Sequence, residues 1–247
     1  CALFDTAGHM IAQAAHIPVH LGSMPLSVLA ALERFSAGNA LQPGDMVILN
    51  DPFRGGTHLP DITLVSPVFD FDQVLLGFVA SRAHHADVGG MTPGSMPVSR
   101  EIFQEGLIIP PVRLMQAGTI NQEMLDLLLA NVRTPLERSG DLWAQIAANQ
   151  RGASRLLEMA ARYGQENIAE AMQQLLAYTE RMTRNLIDSL PDGSYEFEDR
   201  LDDDGISDQP IPIRVSVRIS SDSVVIDFTG SAPQQVGGIN AVYAITL

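Results

Sequence analysis

The chain has 247 residues, with 15 Lys and Arg against 29 Asp and Glu, a formal net charge of −14, a 46% hydrophobic share and one cysteine. The charge balance excludes the phosphate neutralisation on which sequence-independent nucleic-acid binding rests, and any attraction to an anionic membrane surface. One cysteine excludes an internal disulfide framework and a Cys-rich metal site, and it fits a reducing, cytoplasmic setting. The apolar share is that of a globular chain with a sizeable core. No apolar run approaches the roughly 18 to 20 residues of a bilayer span, and no signal peptide is visible. A first residue that is Cys1 rather than Met reads as the start of a processed or partial piece.

Ala2–Asp5 and Met10–Ala14 flank a turn at Thr6–Gly8 and predict a hairpin. Pro25 opens a predicted helix with Leu26, Leu29, Ala30, Leu32 and Phe35 on its apolar face, stopped near Gly38. After the turn at Pro43-Gly44-Asp45, Met46–Leu49 reads as a short strand and Asn50–Asp61 as a polar, Gly-rich loop. Ile62–Phe69 and Val74–Ser81 are β-rich runs joined by Asp70-Phe71-Asp72-Gln73, which predicts antiparallel pairing. Ala83–Pro111 is a long Gly/Pro-rich stretch of the kind that is functional or mobile.

From Asn121 to Leu190 the pattern is helical. Asn121 caps a first helix, Thr134-Pro135 starts a second, and Gly164 separates it from a third over Glu166–Leu190. Beyond Pro191-Asp192-Gly193 the pattern is β again, in Ser194–Leu201, Ile211–Ile219 and Val224–Phe228. The expected class is α+β, with a β-rich part over 1–120, a helical segment over 121–190 and a β segment over 191–247.

Two His/Asp groups stand out. His58 and Asp61 close the first Gly-rich loop, and His84, His85 and Asp87 follow the Val74 strand. If the two strands pair as a hairpin, both groups fall at the same end of the sheet and can assemble a mixed nitrogen and oxygen metal site. Imidazole with carboxylate suits zinc, manganese or iron, and spacing does not choose between His84 and His85. A bound metal would acidify water and polarise a carbonyl, with Asp87 as a candidate general base.

Other features read more plainly. Gly55-Gly56 and Gly89-Gly90 fit turn geometry, since neither belongs to a phosphate-loop or dinucleotide pattern. His16 and His20 flank Pro18, which disfavours a helical metal pair, so a role lining a cleft or interface is expected. Arg82, with Arg54 and Arg100, is a candidate for binding a substrate carboxylate or phosphate. Cys1 reads as a buried strand residue, and Asp202-Asp203-Asp204 as a solvated turn.

Taken together, these segments resemble the hydantoinase B/oxoprolinase family. The resemblance is carried by Cys1–Asp5 with Gly8, Ala14 to Met24, Gly44-Asp45, Asn50-Asp51-Pro52 and Gly55 to Asp61, then by Ser81 to Gly90 and Glu105-Gly106-Leu107. Asn131-Val132-Arg133, Asp141-Leu142 and Asp227 to Ser231 also match. The resemblance implies about half of a longer subunit, a divalent metal, and ATP chemistry on a separate A-type subunit in a hetero-oligomer. It implies ring opening of hydantoins, 5-oxoproline or related lactams. A ketone carboxylase subunit and a non-catalytic scaffold for the A-type subunit are the alternatives. By motif, His58 and Asp61 with His84 or His85 would be metal ligands; Arg82 and His20, from the residue pattern alone, are the expected substrate-binding side chains. The family's further Asp ligand would precede Cys1, with Asp5 and Asp51 as weaker stand-ins.

Overall fold

The computed structural model describes residues 1–15, 17–36 and 38–247, so His16 lies outside the described residues. Two compact units are present. The first comprises residues 1–97, 101–170 and 241–247, and the second residues 98–100 and 171–240.

The first unit is built on a seven-stranded antiparallel sheet. Its strands are β1 (Ala2–Phe4), β2 (Met10–Gln13), β3 (Met46–Leu49), β4 (Asp61–Phe69), β5 (Leu75–His84), β6 (Val112–Gln116) and β7 (Thr119–Ile120), in the order β2-β1-β5-β4-β3-β6-β7. Helix α1 (Val19–Arg34) covers one face, where Met24, Val28 and Ala31 pack on Phe4, Val47, Val65, Phe78 and Ala80. Helices α2 (Gln122–Ala130) and α3 (Pro135–Tyr163) cover the other, where Leu125, Leu128, Leu142 and Ile146 meet Ile48, Ile62, Leu64 and Leu114. Each fully buried side chain of this size contributes about 1.5–3 kcal/mol, so the two layers hold the sheet from both sides.

The helix ends follow local chemistry. The Asn121 side chain accepts from Met124 N and caps α2, while Pro135 occupies the first turn of α3, where its missing N–H has no partner to lose. Gly164, at φ 85°, ends α3 and leads into α4 (Gln165–Asp188). Two boundaries and one hairpin differ from expectation. Helix α1 starts at Val19, so Pro25 lies inside it rather than opening it. Strand β5 runs on to His84, because Arg82, Ala83 and His84 stay paired with Thr63, Ile62 and Asp61. The β6–β7 hairpin leaves no mark on the sequence pattern because its strands are short; Ala117 at φ 48° and Gly118 at φ 81° make the primed type of turn that suits such a hairpin.

The second unit contains most of α4 and a three-stranded antiparallel sheet, β10-β9-β8, from β8 (Gly193–Leu201), β9 (Ile211–Ser220) and β10 (Ser223–Asp227). A final helical turn, α5 (Tyr243–Thr246), returns to the first unit. Two plainer readings need correction. Cys1 is exposed, since β1 begins only at the next residue. Asp204 is not solvated: it is buried and accepts from Ile206 N, Ser207 N, Ser207 Oγ and Gly237 N, which pull its carboxyl below the ordinary range. Among the described residues no helix is long and apolar enough to cross a membrane.

Candidate metal centre

Strands β4 and β5 pair antiparallel, with Asp61 opposite His84 and Thr63 opposite Arg82. Residues directly opposite each other lie on one face, and so do residues two apart on a strand, so Asp61, Thr63, Arg82 and His84 share the α1 face. His58 reaches the same place from the preceding loop. That loop is shaped by a 3₁₀ turn at Pro52–Arg54, whose Asp51 side chain accepts from Phe53 N at 3.0 Å. At Gly55, φ 84°, a Cβ would lie 2.4 Å from the Leu26 carbonyl, so only glycine lets the loop backbone rest on α1. Asn50, fully buried, staples the loop to the next segment: its Nδ2 donates to the Leu59 and Leu107 carbonyls and its Oδ1 accepts from Ile109 N.

These constraints bring His58, Asp61 and His84 together, one ligand atom from each lying within 4.8 Å of the others. His58 Nδ1 stands 3.1 Å from Asp61 Oδ2, and His84 Nδ1 stands 3.3 Å from Asp61 Oδ1. The two rings are 5.0 Å apart. Thr57 Oγ1 donates to Asp61 Oδ2 at 2.6 Å. Asp61 is 4% exposed, while the side chains of His58 and His84 are 36% and 51% exposed, so the group is anchored at its carboxylate and open at its imidazoles. Burial alone would raise the Asp61 pKa, but hydrogen bonds from His58 and Thr57 and the charges of His58 and Arg82 together lower it to about 2. Two imidazoles and an ionised carboxylate supply the donor set that zinc, manganese or iron accept, and three protein ligands leave positions open.

The other expected site residues lie elsewhere. His85, one residue past His84, turns to the opposite face. It is buried there, with Nε2 2.8 Å from Gln145 Oε1 on α3, and burial pushes its pKa down. Asp87 is also buried. Its Oδ2 accepts from Arg133 N at 2.6 Å, and its Oδ1 from Arg133 Nη1 at 3.0 Å, Gly89 N at 3.1 Å and Ser95 Oγ at 3.2 Å. Burial opposes its ionisation, but these donors outweigh it and hold the carboxyl below the ordinary range. Arg82 and His20 do line a common cavity of about 150 Å³, with Cys1, Gln13, Ile17 and Met24. Asp5 caps its own turn, accepting from Ala7 N and His9 N, and Asp51 caps the 3₁₀ turn.

Thr57, Asn50, Ser23 and Ser27 also support the group, and none of them is among the site residues expected from the sequence. The four-residue spacing of Ser23 and Ser27 on an otherwise apolar helix face was the available signal for two of them.

Comparison with known proteins places the chain in a family and a fold. The chain is 36% identical over 273 residues to 5-oxoprolinase 1 of Arabidopsis thaliana, covering 100% of this chain and 21% of that protein. It is 35% identical over 242 residues to a protein of Pseudomonas sp. (strain NS671) provisionally named as the B-type subunit of a D-/L-hydantoinase, covering 95% and 41%. The crystal structure of an ATP-dependent caprolactamase from Pseudomonas jessenii superimposes with a TM-score of 0.92 at 32% identity, over 99% of this chain and 42% of that one. A nucleotide-free acetone carboxylase shares the fold at a TM-score of 0.89 and 21% identity, over 97% and 33%. The chain spans 19 to 43% of the length of the first curated relatives it matches. The sequence profile of the hydantoinase B/oxoprolinase family matches residues 1–247, and the chain belongs to that family.

Proposed function

We propose that this chain is the metal-bearing part of an ATP-dependent amidohydrolase that opens a cyclic amide, such as a hydantoin, 5-oxoproline or a related lactam, after an A-type subunit has activated it. The observation that supports this most is the convergence of His58, Asp61 and His84 at one end of the β4–β5 hairpin in a member of this family. These three side chains would hold a divalent cation, which when bound polarises a carbonyl or acidifies water. The protein's own part is positional. Asp61 is held ionised, Thr57 fixes one of its oxygens, and the half-exposed imidazoles leave the substrate side open. Proton transfer from Asp87 does not enter this reading, because both of its oxygens are already committed to Arg133, Gly89 and Ser95. The ATP site belongs, on this proposal, to the partner in a cytoplasmic hetero-oligomer.

A ketone carboxylase subunit is the second reading, supported by likeness of fold to acetone carboxylase. The relatives and the neighbour with lactam- and hydantoin-directed names are the ones at 32 to 36% identity, which favours hydrolysis. The test uses the full-length protein with its partner. His58→Ala is expected to abolish both bound metal and ATP-coupled hydrolysis. Full activity after loss of the metal overturns the proposal, and incorporation of labelled bicarbonate into product selects the carboxylase instead.

A further inference from the structure

Arg82 is the cation nearest the His58 group along the sheet, one same-face row away from the Asp61–His84 pair. All five of its N–H donors have protein acceptors. Nε donates to Thr63 Oγ1 at 2.8 Å, Nη1 to Ser23 Oγ at 2.5 Å and to His20 Nδ1 at 3.3 Å, and Nη2 to Ser27 Oγ at 2.7 Å and to the Gly55 carbonyl at 3.4 Å. The acceptors are neutral, and the opposite charge it feels is that of Asp61.

The acceptors are themselves locked. Ser23, Ser27 and Thr63 are fully buried. Ser23 Oγ donates onward to the Val19 carbonyl at 3.0 Å, and Ser27 Oγ to the Gly55 carbonyl at 2.6 Å. A substrate carboxylate or phosphate seeking a bidentate grip would have to strip buried hydroxyls from the guanidinium and leave them unsatisfied.

The three segments so joined are the three that build the candidate centre. The Gly55 loop carries His58, β4 carries Asp61 and Thr63, and β5 carries Arg82 and His84, while Ser23 and Ser27 fasten all of them to α1. We infer that Arg82 is a positioning residue, whose planar fork ties α1, the His58 loop and the β4–β5 hairpin into one frame that sets the spacing of His58, Asp61 and His84. This role presupposes the metal-bearing reading of those three residues. A lysine has three donors on one nitrogen and cannot span acceptors on α1, the Gly55 loop and β4 at once, although it keeps the charge.

The experiment compares Arg82→Lys, Ser27→Ala and His58→Ala in the full-length protein with its partner. Affinity for Zn²⁺ and Mn²⁺ is read by chelator competition, alongside the thermal midpoint, kcat and KM for a cyclic amide. Arg82→Lys is expected to weaken metal binding about 10- to 100-fold, the usual consequence of losing support around ligands, and to lower kcat at least about tenfold with KM within about twofold. Ser27→Ala is expected to move metal affinity and kcat in the same direction by a smaller factor. A tenfold rise in KM with metal affinity and kcat unchanged would make Arg82 a substrate ligand and overturn the inference. Unchanged metal affinity in both the Arg82 and Ser27 variants also overturns it. If Arg82→Lys does not fold, Ser27→Ala alone decides. Retention of metal by His58→Ala would instead sink the metal-bearing reading, so the two failures are separable.

Discussion

The two His/Asp loops of the first unit look alike in sequence and differ in structure. His58-x-x-Asp61 and His84-His85-x-Asp87 each end in a buried aspartate held below its ordinary pKa. The donors differ. Asp61 faces two imidazole nitrogens and one hydroxyl, whereas Asp87 faces two backbone N–H groups, a guanidinium and a hydroxyl. An imidazole can turn a lone pair toward a cation, so the donors around Asp61 can become its fellow ligands. A backbone N–H and an arginine cannot, so Asp87 works as a latch that fastens its loop to Arg133. Depressed carboxylate pKa values therefore arise at both places, and the donor type separates a candidate ligand set from a structural clamp.

Four measurements bear on that contrast. Asp61→Asn in the full-length protein with its partner should eliminate stoichiometric metal and lower kcat on the order of 10³-fold, equivalent to several kcal/mol of lost charge stabilisation. Metal retained by that variant would erase the distinction between the loops. Asp87→Ala should leave metal content unchanged and lower unfolding stability by roughly 2–3 kcal/mol, because the Arg133 N–H loses its acceptor. Denaturant unfolding with metal analysis of the same samples checks both halves, and loss of metal at unchanged stability would reverse the assignments.

The third prediction concerns acid. With a folded pKa of about 2 against a reference of 3.8, Asp61 stabilises the metal-free protein by about 2 kcal/mol. Because the folded value is the lower one, this contribution is complete above about pH 4 and is lost as pH falls toward 2. Urea midpoints measured through that window should converge for wild type and Asp61→Asn at the acid end. The smallest effect is expected from Thr57→Val, which removes the hydroxyl donating to Asp61 Oδ2 and should weaken metal binding about tenfold. A change in stability without any change in metal affinity would show that Thr57 serves the loop alone.

Much of this protein was legible in its residues. The α+β class, the β4–β5 pairing, the capping of α2 by Asn121 and the break at Gly164 all follow from local propensity and punctuation, and the structure shows each. The nearness of the His58 loop to the end of β5 was already implied by a four-residue connection between two β-rich runs. Less legible were Ser23, Ser27 and Asn50, each of which has a partner 28 to 59 residues away along the chain. The latch on Asp87 is formed by a residue 46 positions on, and no local pattern announces it.

The choice between His84 and His85 marks the boundary between the two kinds of information. Composition, loop chemistry and the repeated His/Asp spacing determined that histidine and aspartate would gather at one end of a hairpin. Adjacent strand residues point to opposite faces, so one imidazole had to go to each side, and the residues themselves do not say which. The register of β5 against β4 decided it by setting His84 opposite Asp61, which sent His85 to Gln145 on α3. Register is fixed by burying the correct face of the whole sheet between α1 and α3, a property of the packed tertiary structure that no single segment carries.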